Sequence, residues 1–204
     1  MKITWLGHAC FKIESDKGSV VIDPYNPDAI PGYPPYQACA DKVLVTHEHF
    51  DHNYREAITL TGNECALNIT AVPSFHDDCG GKILGENTIY VVDDGEYRIA
   101  HFGDLGHELD IDALDKIGKL DGAIVNIGGF EKSEAEPANK LVNILNPSWI
   151  FPCHFKNDFF GFENSGTIDD FVVLQGPNEW LVYGHEMDLF KSDRKRTVLF
   201  TPKF

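Results

Sequence analysis

The residues with the clearest chemistry lie in one short segment, residues 46–52, with the letters THEHFDH. Three histidines and one aspartate fall within six positions: His47, His49, Asp51 and His52. Imidazole nitrogen and carboxylate oxygen are typical ligands of borderline divalent metals such as zinc. Because His47 and His49 are two positions apart, they share one face of an extended segment, and Glu48 between them should point away. The segment follows an apolar run at residues 43–45, which predicts a metal site at the end of a buried strand.

Three further polar residues occupy the same kind of position, where an apolar run ends and a loop begins. His76 follows residues 68–72, Asp104 follows residues 97–102, and His154 follows residues 149–153. Taken singly, each is a weak signal, since a Gly-Asp pair is usually a turn and a lone histidine is usually structural. Because α/β proteins bind ligands at the carboxyl ends of their strands, we expect these side chains to converge on the histidine-rich segment.

Composition restricts the class of protein and its partners. The length of 204 residues predicts one domain over residues 1–204, and the net charge of −15 disfavours nucleic acids and anionic membranes. The sequence shows neither an apolar run of membrane-spanning length nor a signal peptide. Five widely spaced cysteines indicate free thiols in a reducing compartment. We therefore expect a cytoplasmic protein with a small-molecule substrate, and the sequence is compatible with a homo-oligomer.

The order of predicted elements indicates the fold class. Short β-like runs dominate the first half, at residues 3–6, 10–14, 19–23, 43–45, 68–72, 88–92 and 97–102. A proline-rich loop at residues 24–36 interrupts them. Helices are predicted at residues 110–119, with Asp110 as N-cap, and at residues 134–145, before Asn146-Pro147. They alternate with strands at residues 123–127 and 149–153, and a helix at 168–174 and strands at 180–183 and 197–200 follow. This order predicts a layered α/β arrangement, with helices covering the sheets.

The combined pattern resembles the metallo-β-lactamase superfamily over roughly residues 1–155. The matching features are His47-x-His49-x-Asp51-His52, a later His76, Gly103-Asp104 and Pro152-Cys153-His154. Finer matches are Thr4-Trp5-Leu6-Gly7-His8, Phe75-His76-Asp77-Asp78 and Gly103-Asp104-Leu105-Gly106-His107. These are similar to a small single-domain branch of predicted metal-dependent hydrolases, related more distantly to ascorbate-6-phosphate lactonase and N-acyl-phosphatidylethanolamine phospholipase D.

The resemblance implies a four-layer αββα sandwich with two divalent metal ions at one edge, zinc first, with manganese or iron as alternatives. By the family pattern, one ion takes His47, His49 and His76, the other takes Asp51, His52 and His154, and Asp104 bridges them. The implied reaction is hydrolysis of a small-molecule lactone, ester, amide or phosphodiester by a metal-bridging hydroxide. The predicted catalytic residues are Asp51, Asp104 and His107. We also expect His107 and His8 to orient the metal ligands.

Several alternatives stay open at the level of sequence. The related branch often carries an arginine in the pattern Gly-x-x-Arg-Gly-x-Asn, whereas this chain has Leu84 there and Lys82 as the nearest cation. Aromatic residues in the loops at 24–36 and 155–162 predict either a partly apolar substrate or rings that anchor the loops. The thiol of Cys153, next to His154, has no assigned role. The alternative function is a non-catalytic metal-binding or ligand-sensing protein on the same fold.

Overall fold

The computed structural model describes residues 1–129, 134–176 and 178–202. Within those ranges the strands are β1 (Lys2–Gly7), β2 (Cys10–Ser15), β3 (Gly18–Ile22), β4 (Ala38–Ala40), β5 (Lys42–Leu44), β6 (Ile58–Leu60), β7 (Asn68–Phe75), β8 (Glu86–Asp93), β9 (Arg98–His101), β10 (Gly122–Asn126), β11 (Trp149–Cys153), β12 (Glu179–Tyr183), β13 (Glu186–Asp188) and β14 (Arg196–Phe200). The helices are α1 (Ile111–Ile117), α2 (Ala135–Leu145) and α3 (Ile168–Gln175), with a 3-10 turn at Arg55–Ala57.

Two large sheets form the core of the molecule. The smaller has the order β13-β1-β2-β3-β5, and the larger has the order β12-β14-β11-β10-β9-β8-β7. Their inner faces pack together. The Phe11 ring of β2 lies 5.9 Å from the His101 ring of β9 and 6.3 Å from the Phe200 ring of β14. This packing of sheet on sheet, with helices following the strands of the larger sheet, agrees with the layered arrangement expected from the sequence.

The helices connect parallel strands, which need a crossover rather than a tight turn. Helix α1 links β9 to β10, and α2 links β10 to β11. The Asp110 side chain caps α1 by accepting the backbone N–H of Ala113, and α2 ends at Asn146 in the left-handed conformation. All three predicted helices are confirmed, with ends that differ by at most two residues. None of the helices in the described ranges is long and apolar enough to span a membrane.

Strand direction brings the chemically interesting loops together. The neighbours β9, β10 and β11 are parallel, so residues that follow them emerge at the same edge of the larger sheet. In the smaller sheet β3 and β5 are also parallel, and the histidine-rich segment at residues 46–52 follows β5. Strand β7 is longer than predicted and includes Pro73, which an edge strand tolerates because it needs fewer ladder hydrogen bonds. Its extension carries the chain to His76.

Candidate metal centre

Asp104 lies at the centre of a cluster of imidazole rings. Its Oδ2 is 3.1 Å from His76 Nε2, 3.4 Å from His52 Nε2, 3.5 Å from His154 Nε2 and 3.8 Å from His47 Nε2. Asp104 and these four histidines come from four separate loops, and the carboxylate is buried. One oxygen facing four ring nitrogens is the geometry needed by a carboxylate that bridges two cations.

The candidate ligand atoms fall into two groups around this carboxylate. The first group contains His47, His49 and His76, and the second contains His8, Asp51, His52 and His154; a third set, His47, His52 and Asp104, overlaps both. Within each group the ligand atoms lie within 4.8 Å of one another. In the second group, Asp51 Oδ2 is 3.4 Å from His154 Nε2 and 3.6 Å from His52 Nε2. The structure thus brings every ligand predicted from the sequence into one cluster and adds His8 to it.

The unpaired nitrogens of the cluster test whether the residues fit a metal. The Nε2 atoms of His47, His52 and His154 are buried and have no hydrogen-bond partner among the residues that the structure describes. Buried polar atoms without a partner are costly, so several of them facing one carboxylate need an explanation. A divalent cation supplies it, because neutral imidazole nitrogen is a metal ligand. The residues present therefore fit a metal site.

Hydrogen bonds on the far side of two rings fix which nitrogen faces the cluster. His52 Nδ1 lies 2.9 Å from Asp23 Oδ2, and His47 Nδ1 lies 2.9 Å from Thr46 Oγ1. The Thr46 hydroxyl donates to Asp23 Oδ2 at 2.7 Å, so its oxygen is free to accept the N–H of His47. With the proton on Nδ1 in both rings, each Nε2 presents a lone pair to the cluster.

Asp23 is a functional residue that the sequence analysis placed only at the end of a strand. It is fully buried, has a φ of 55°, and also accepts the backbone N–H of Thr46 at 2.7 Å. Burial by itself would raise the pKa of Asp23, but the charge of His52 and its hydrogen bond hold the pKa below the ordinary value. An ionised carboxylate behind a ligand histidine is the usual way to orient that ligand and raise its basicity.

Asp104 is also held in place by neighbours that the sequence analysis missed. Asn126 Nδ2 donates to Asp104 Oδ1 at 2.6 Å, and the Asn126 side-chain oxygen Oδ1 accepts the backbone N–H groups of Gly128 and Gly129. On the other side, Asn87 Oδ1 accepts the Asp104 backbone N–H at 3.2 Å. This leaves Asp104 Oδ2 as the oxygen that faces the imidazoles.

Two glycines allow the ligand loops to approach one another. A Cβ at Gly106 would overlap the backbone carbonyl of His76, and one at Gly128 would overlap the backbone carbonyl of His154. In both cases the obstacle is backbone, which cannot rotate away as a flexible side chain could. Glycine at these positions therefore lets the loops that carry Asp104, His76 and His154 pack closely enough to share one centre.

The protonation states of His47, Asp51 and Asp104 suit a cation site. Burial would lower the pKa values of His52 and His154, but Asp104 outweighs burial and raises both, so a cation would displace protons from these two rings. Burial, reinforced by the charge of His52, lowers the pKa of His47 to about 3, so this ring is neutral at neutral pH. Burial alone would raise the pKa values of Asp51 and Asp104, but the neighbouring imidazoles outweigh it and hold both pKa values below the ordinary range. Neutral imidazoles and ionised carboxylates are the forms that bind divalent metals.

The structure does not bring His107, predicted as catalytic, into this cluster. His107 Nε2 accepts the backbone N–H of Phe75 at 3.1 Å, and its Nδ1 donates to the carbonyl of Glu108 at 2.8 Å. Both ring nitrogens are thus engaged by backbone groups, and neither group belongs to a predicted ligand. The ring fastens the loop after Asp104 to the end of β7. Glu48 is not part of the groups of candidate metal ligands, as expected, and pairs with Arg55 at 2.5 Å.

A cleft of about 830 Å³ opens over the cluster. Its floor includes His49, His76 and Asp104. Its walls include four apolar side chains: Phe50, Ile83, Leu84 and Leu105. Leu84 therefore lines the cleft where related sequences often place arginine, and Lys82 does not take that place. Among the described residues that line the cleft, none is a lysine or an arginine.

Asp77 holds the apolar wall of the cleft in shape. Its carboxylate accepts backbone N–H groups from Cys79 and Gly81 on one oxygen and from Ile83 and Leu84 on the other, at 2.8 to 3.0 Å. The hydrogen bonds from these backbone groups outweigh burial and lower the pKa of Asp77. The loop is thus wrapped around one ionised side chain, with Ile83 and Leu84 projecting from it.

Most aromatic residues of the two flanking loops anchor those loops. The Tyr25 hydroxyl donates to the carbonyl of Leu6, and Tyr33 and Phe160 are buried and pack against each other and against Trp5. Phe50 differs, since 56% of its surface is exposed at the cleft. The structure thus assigns these tyrosines to packing and leaves the apolar lining of the cleft to other residues.

Comparison with known proteins gives the family. Residues 2–154 match the model of the β-lactamase superfamily domain. The UPF0173 metal-dependent hydrolase of Methanopyrus kandleri is 31% identical over 195 residues, which covers 76% of this chain and 84% of the relative. The corresponding protein of Methanoregula boonei is 28% identical over 221 residues, covering 88% and 96%.

A solved structure confirms the fold. The crystal structure of a Thermotoga maritima protein, assigned to the Zn-dependent hydrolases of the metallo-β-lactamase superfamily, matches with a TM-score of 0.73 and 28% identity over 98% of both chains. The expected metallo-β-lactamase-like fold and the resemblance stated from the motifs are therefore both confirmed. The chain belongs to the β-lactamase superfamily, among the UPF0173 metal-dependent hydrolases.

Proposed function

We propose that this chain is a dinuclear hydrolase that cleaves a small, neutral carbonyl substrate. His47, His49 and His76 hold one divalent ion, Asp51, His52 and His154 hold the other, and Asp104 bridges the two. The observation that carries this proposal is the set of buried, unpaired Nε2 atoms of His47, His52 and His154 around Asp104 Oδ2. Zinc is the first candidate because the ligand set is rich in histidine, and manganese and iron compete for the same donors.

The chain's own residues prepare the reaction. Bound ions would supply Lewis acidity and a water molecule whose pKa is lowered towards neutrality. Asp104 sets the spacing of the two ligand groups, because Asn126 and Asn87 fix its orientation. Asp23 keeps His52 in the tautomer that presents Nε2. The half-exposed His49 and His76 line the cleft together with the more buried Asp51 and His154, so a substrate in the cleft would meet both groups.

The cleft favours an uncharged substrate with an apolar part. A volume of about 830 Å³ is in the range of small-molecule sites. Because the described lining residues include no lysine or arginine, a substrate with several phosphates would lack a side-chain counterion. The net charge of −15 also repels polyanions. A lactone, ester or amide therefore fits better than a phosphodiester, and Phe50, Ile83 and Leu84 would contact its apolar portion.

The test combines metal content with turnover. Elemental analysis of the purified protein, after incubation with zinc or manganese, should give about two ions per chain, by the two-site geometry. Asp104→Ala should hold at most one ion per chain. His185→Gln is the matched control, because the His185 side chain is 30% exposed and forms its ion pair with Glu186. The metal-loaded protein is then assayed on p-nitrophenyl acetate, p-nitrophenyl butyrate, a δ-lactone and bis(p-nitrophenyl) phosphate.

Each outcome separates the candidate functions. Hydrolysis of an ester or lactone that is lost in Asp104→Ala and kept in His185→Gln supports the proposal. Two ions without turnover on any of these substrates would favour the non-catalytic metal-binding alternative. A protein that stays free of metal would contradict the assignment of the ligands.

A further inference from the structure

His8 lies inside the metal cluster but outside the ligand set implied by the family pattern. It occupies the turn between β1 and β2, is 1% exposed and has a φ of 50°. Its Nε2 lies 3.2 Å from Asp51 Oδ2, and its ring centroid lies 3.9 Å from that of His154. We propose that His8 is the positioning residue of the second metal ion, holding Asp51 and His154 in the geometry that binds it. This inference rests on the dinuclear site of the proposed function.

The contact with Asp51 orients that carboxylate. Asp51 is ionised and buried, so an N–H donor on one oxygen is worth more than it would be in water. His8 supplies that donor when its proton is on Nε2, where Asp51 is the acceptor. If Nε2 instead ligated an ion, the proton would sit on Nδ1, which is buried and has no hydrogen-bond partner in the described part of the chain, so an N–H donor rather than a lone pair would stay unsatisfied. The donor role therefore satisfies the ring better.

Ligand number also favours positioning over ligation. The second ion already has Asp51, His52 and His154, together with the shared Asp104. Four protein donors, together with the water that the reaction needs, would leave no position for a fifth side chain. A fifth side chain would crowd that ion, whereas a hydrogen bond to a ligand from outside the set leaves its geometry intact.

His8 holds His154 through the backbone as well as through the ring. The backbone N–H of His154 donates to the His8 carbonyl at 3.3 Å, and the Trp5 indole N–H donates to the same oxygen at 2.9 Å. His154 has a φ of 60°, a left-handed conformation that is unfavourable for a residue other than glycine. The contacts from His8 help to hold it there. They also tie the β1–β2 turn of the smaller sheet to the end of β11 in the larger sheet.

The test replaces His8 and measures the two ions separately. His8→Phe keeps a ring but removes the N–H, and His8→Gln keeps an N–H donor without the ring. Zinc affinity is measured for each ion by competition with a coloured chelator, and coordination is followed by the visible absorption of the cobalt-substituted protein. His185→Gln is the control, and thermal unfolding of the metal-free variants reports folding.

The expected pattern is selective. His8→Phe should weaken the affinity for the second ion by about 10- to 100-fold, as for other residues that orient a ligand, and should change the affinity for the first ion by no more than about threefold. His8→Gln should recover part of that loss. The visible absorption of cobalt bound at the second position should keep its intensity, because that intensity reports the coordination number and no ligand is lost.

Other results would overturn the inference. Unchanged affinities in His8→Phe would show that the ring has no positioning role. A changed cobalt coordination number, with the second ion lost in both variants, would make His8 a ligand. An equal loss of both ions with a lower melting temperature of the metal-free protein would make its role purely structural. A wild-type protein that binds fewer than two ions would refute the dinuclear function itself, and the inference with it.

Discussion

The two halves of the metal cluster differ in their exposure to solvent. In the first group, His49 and His76 are partly exposed and line the cleft, and only His47 is buried. All members of the second group are buried, with the His52 side chain 0% and the His154 side chain 2% exposed. Two ions bound to such different surroundings should not be equivalent. The exposed half is suited to meet substrate, and the buried half to keep its ion.

The supports behind the ligands differ in the same direction. In the second group, His52 is backed by Asp23, which in turn is held by Thr46, and Asp51 is contacted by His8. In the first group, His47 has the Thr46 hydroxyl behind it. Among the described residues, Nδ1 of His76 in the first group and Nδ1 of His154 in the second have no hydrogen-bond partner, so two ligands of the second group have such a support and one ligand of the first. Because outer hydrogen bonds fix ligand orientation and raise ligand basicity, we expect the second ion to bind more tightly than the first.

The largest effect is expected when the residue common to both halves is removed. Asp104→Ala should lower kcat/KM by about 1000-fold or more, because the bridging carboxylate and the spacing of the ions are lost together. Metal content should fall below two ions per chain, while the circular dichroism spectrum stays that of the folded protein. A variant with full activity and full metal content would contradict the bridging role.

A smaller and one-sided effect is expected from the support of the buried half. Asp23→Asn keeps the size of the side chain but removes the charge that orients His52. Affinity for the second ion should fall by about 10- to 100-fold, with little change for the first. The measurement is chelator competition on both ions. Equal weakening of the two ions would mean that the halves are not independently supported.

Removal of the metals tests the difference between the halves without a mutation. When the loaded protein is treated with excess EDTA, one ion should leave at least about tenfold faster than the other, because His49 and His76 of the first group are partly exposed whereas every member of the second group is buried. Release is followed by stopped-flow absorption of a metal indicator. Cobalt loading can assign the fast phase, and a single release phase would remove the distinction between the two halves.

The candidate ligands of both halves, and a supporting role for His8, were predictable from the sequence, whereas the support from Asp23 was not. His47, His49, Asp51 and His52 form a tight local pattern, and Asp104 and His154 follow apolar strands, so each signal lies within a few residues of its strand. Asp23 meets His52 only because β3 and β5 pair in parallel, with Ile22 opposite Leu44. That register depends on contacts between distant parts of the chain, which a local pattern does not carry.

The same limit explains the differences in the fold. The strands that were not predicted, β4, β6 and β13, have three residues each, which is too short for a period to be seen. His107 was selected because a resembling branch has histidine there, and its backbone contacts could not be seen in the motif. Leu84 was noted as a departure from the arginine of the related branch. Its place in the lining of the cleft depends on the loop folded around Asp77, which the sequence pattern did not indicate.

The smallest effect is expected at the apolar wall beside the exposed half. Leu84→Arg places a lysine- or arginine-type cation in a cleft whose described lining has none. Turnover of bis(p-nitrophenyl) phosphate should therefore rise several-fold, because the added charge pairing contributes about 1 kcal/mol. Turnover of p-nitrophenyl butyrate should fall by about threefold as apolar contact is lost. Lys82→Leu, a change at an exposed position outside the cleft lining, is the matched control and should alter neither rate. If Leu84→Arg left the ratio of the two rates unchanged, the wall beside Leu84 would have no part in substrate selection, and the preference for neutral substrates would have to come from the metal-binding half of the cleft alone.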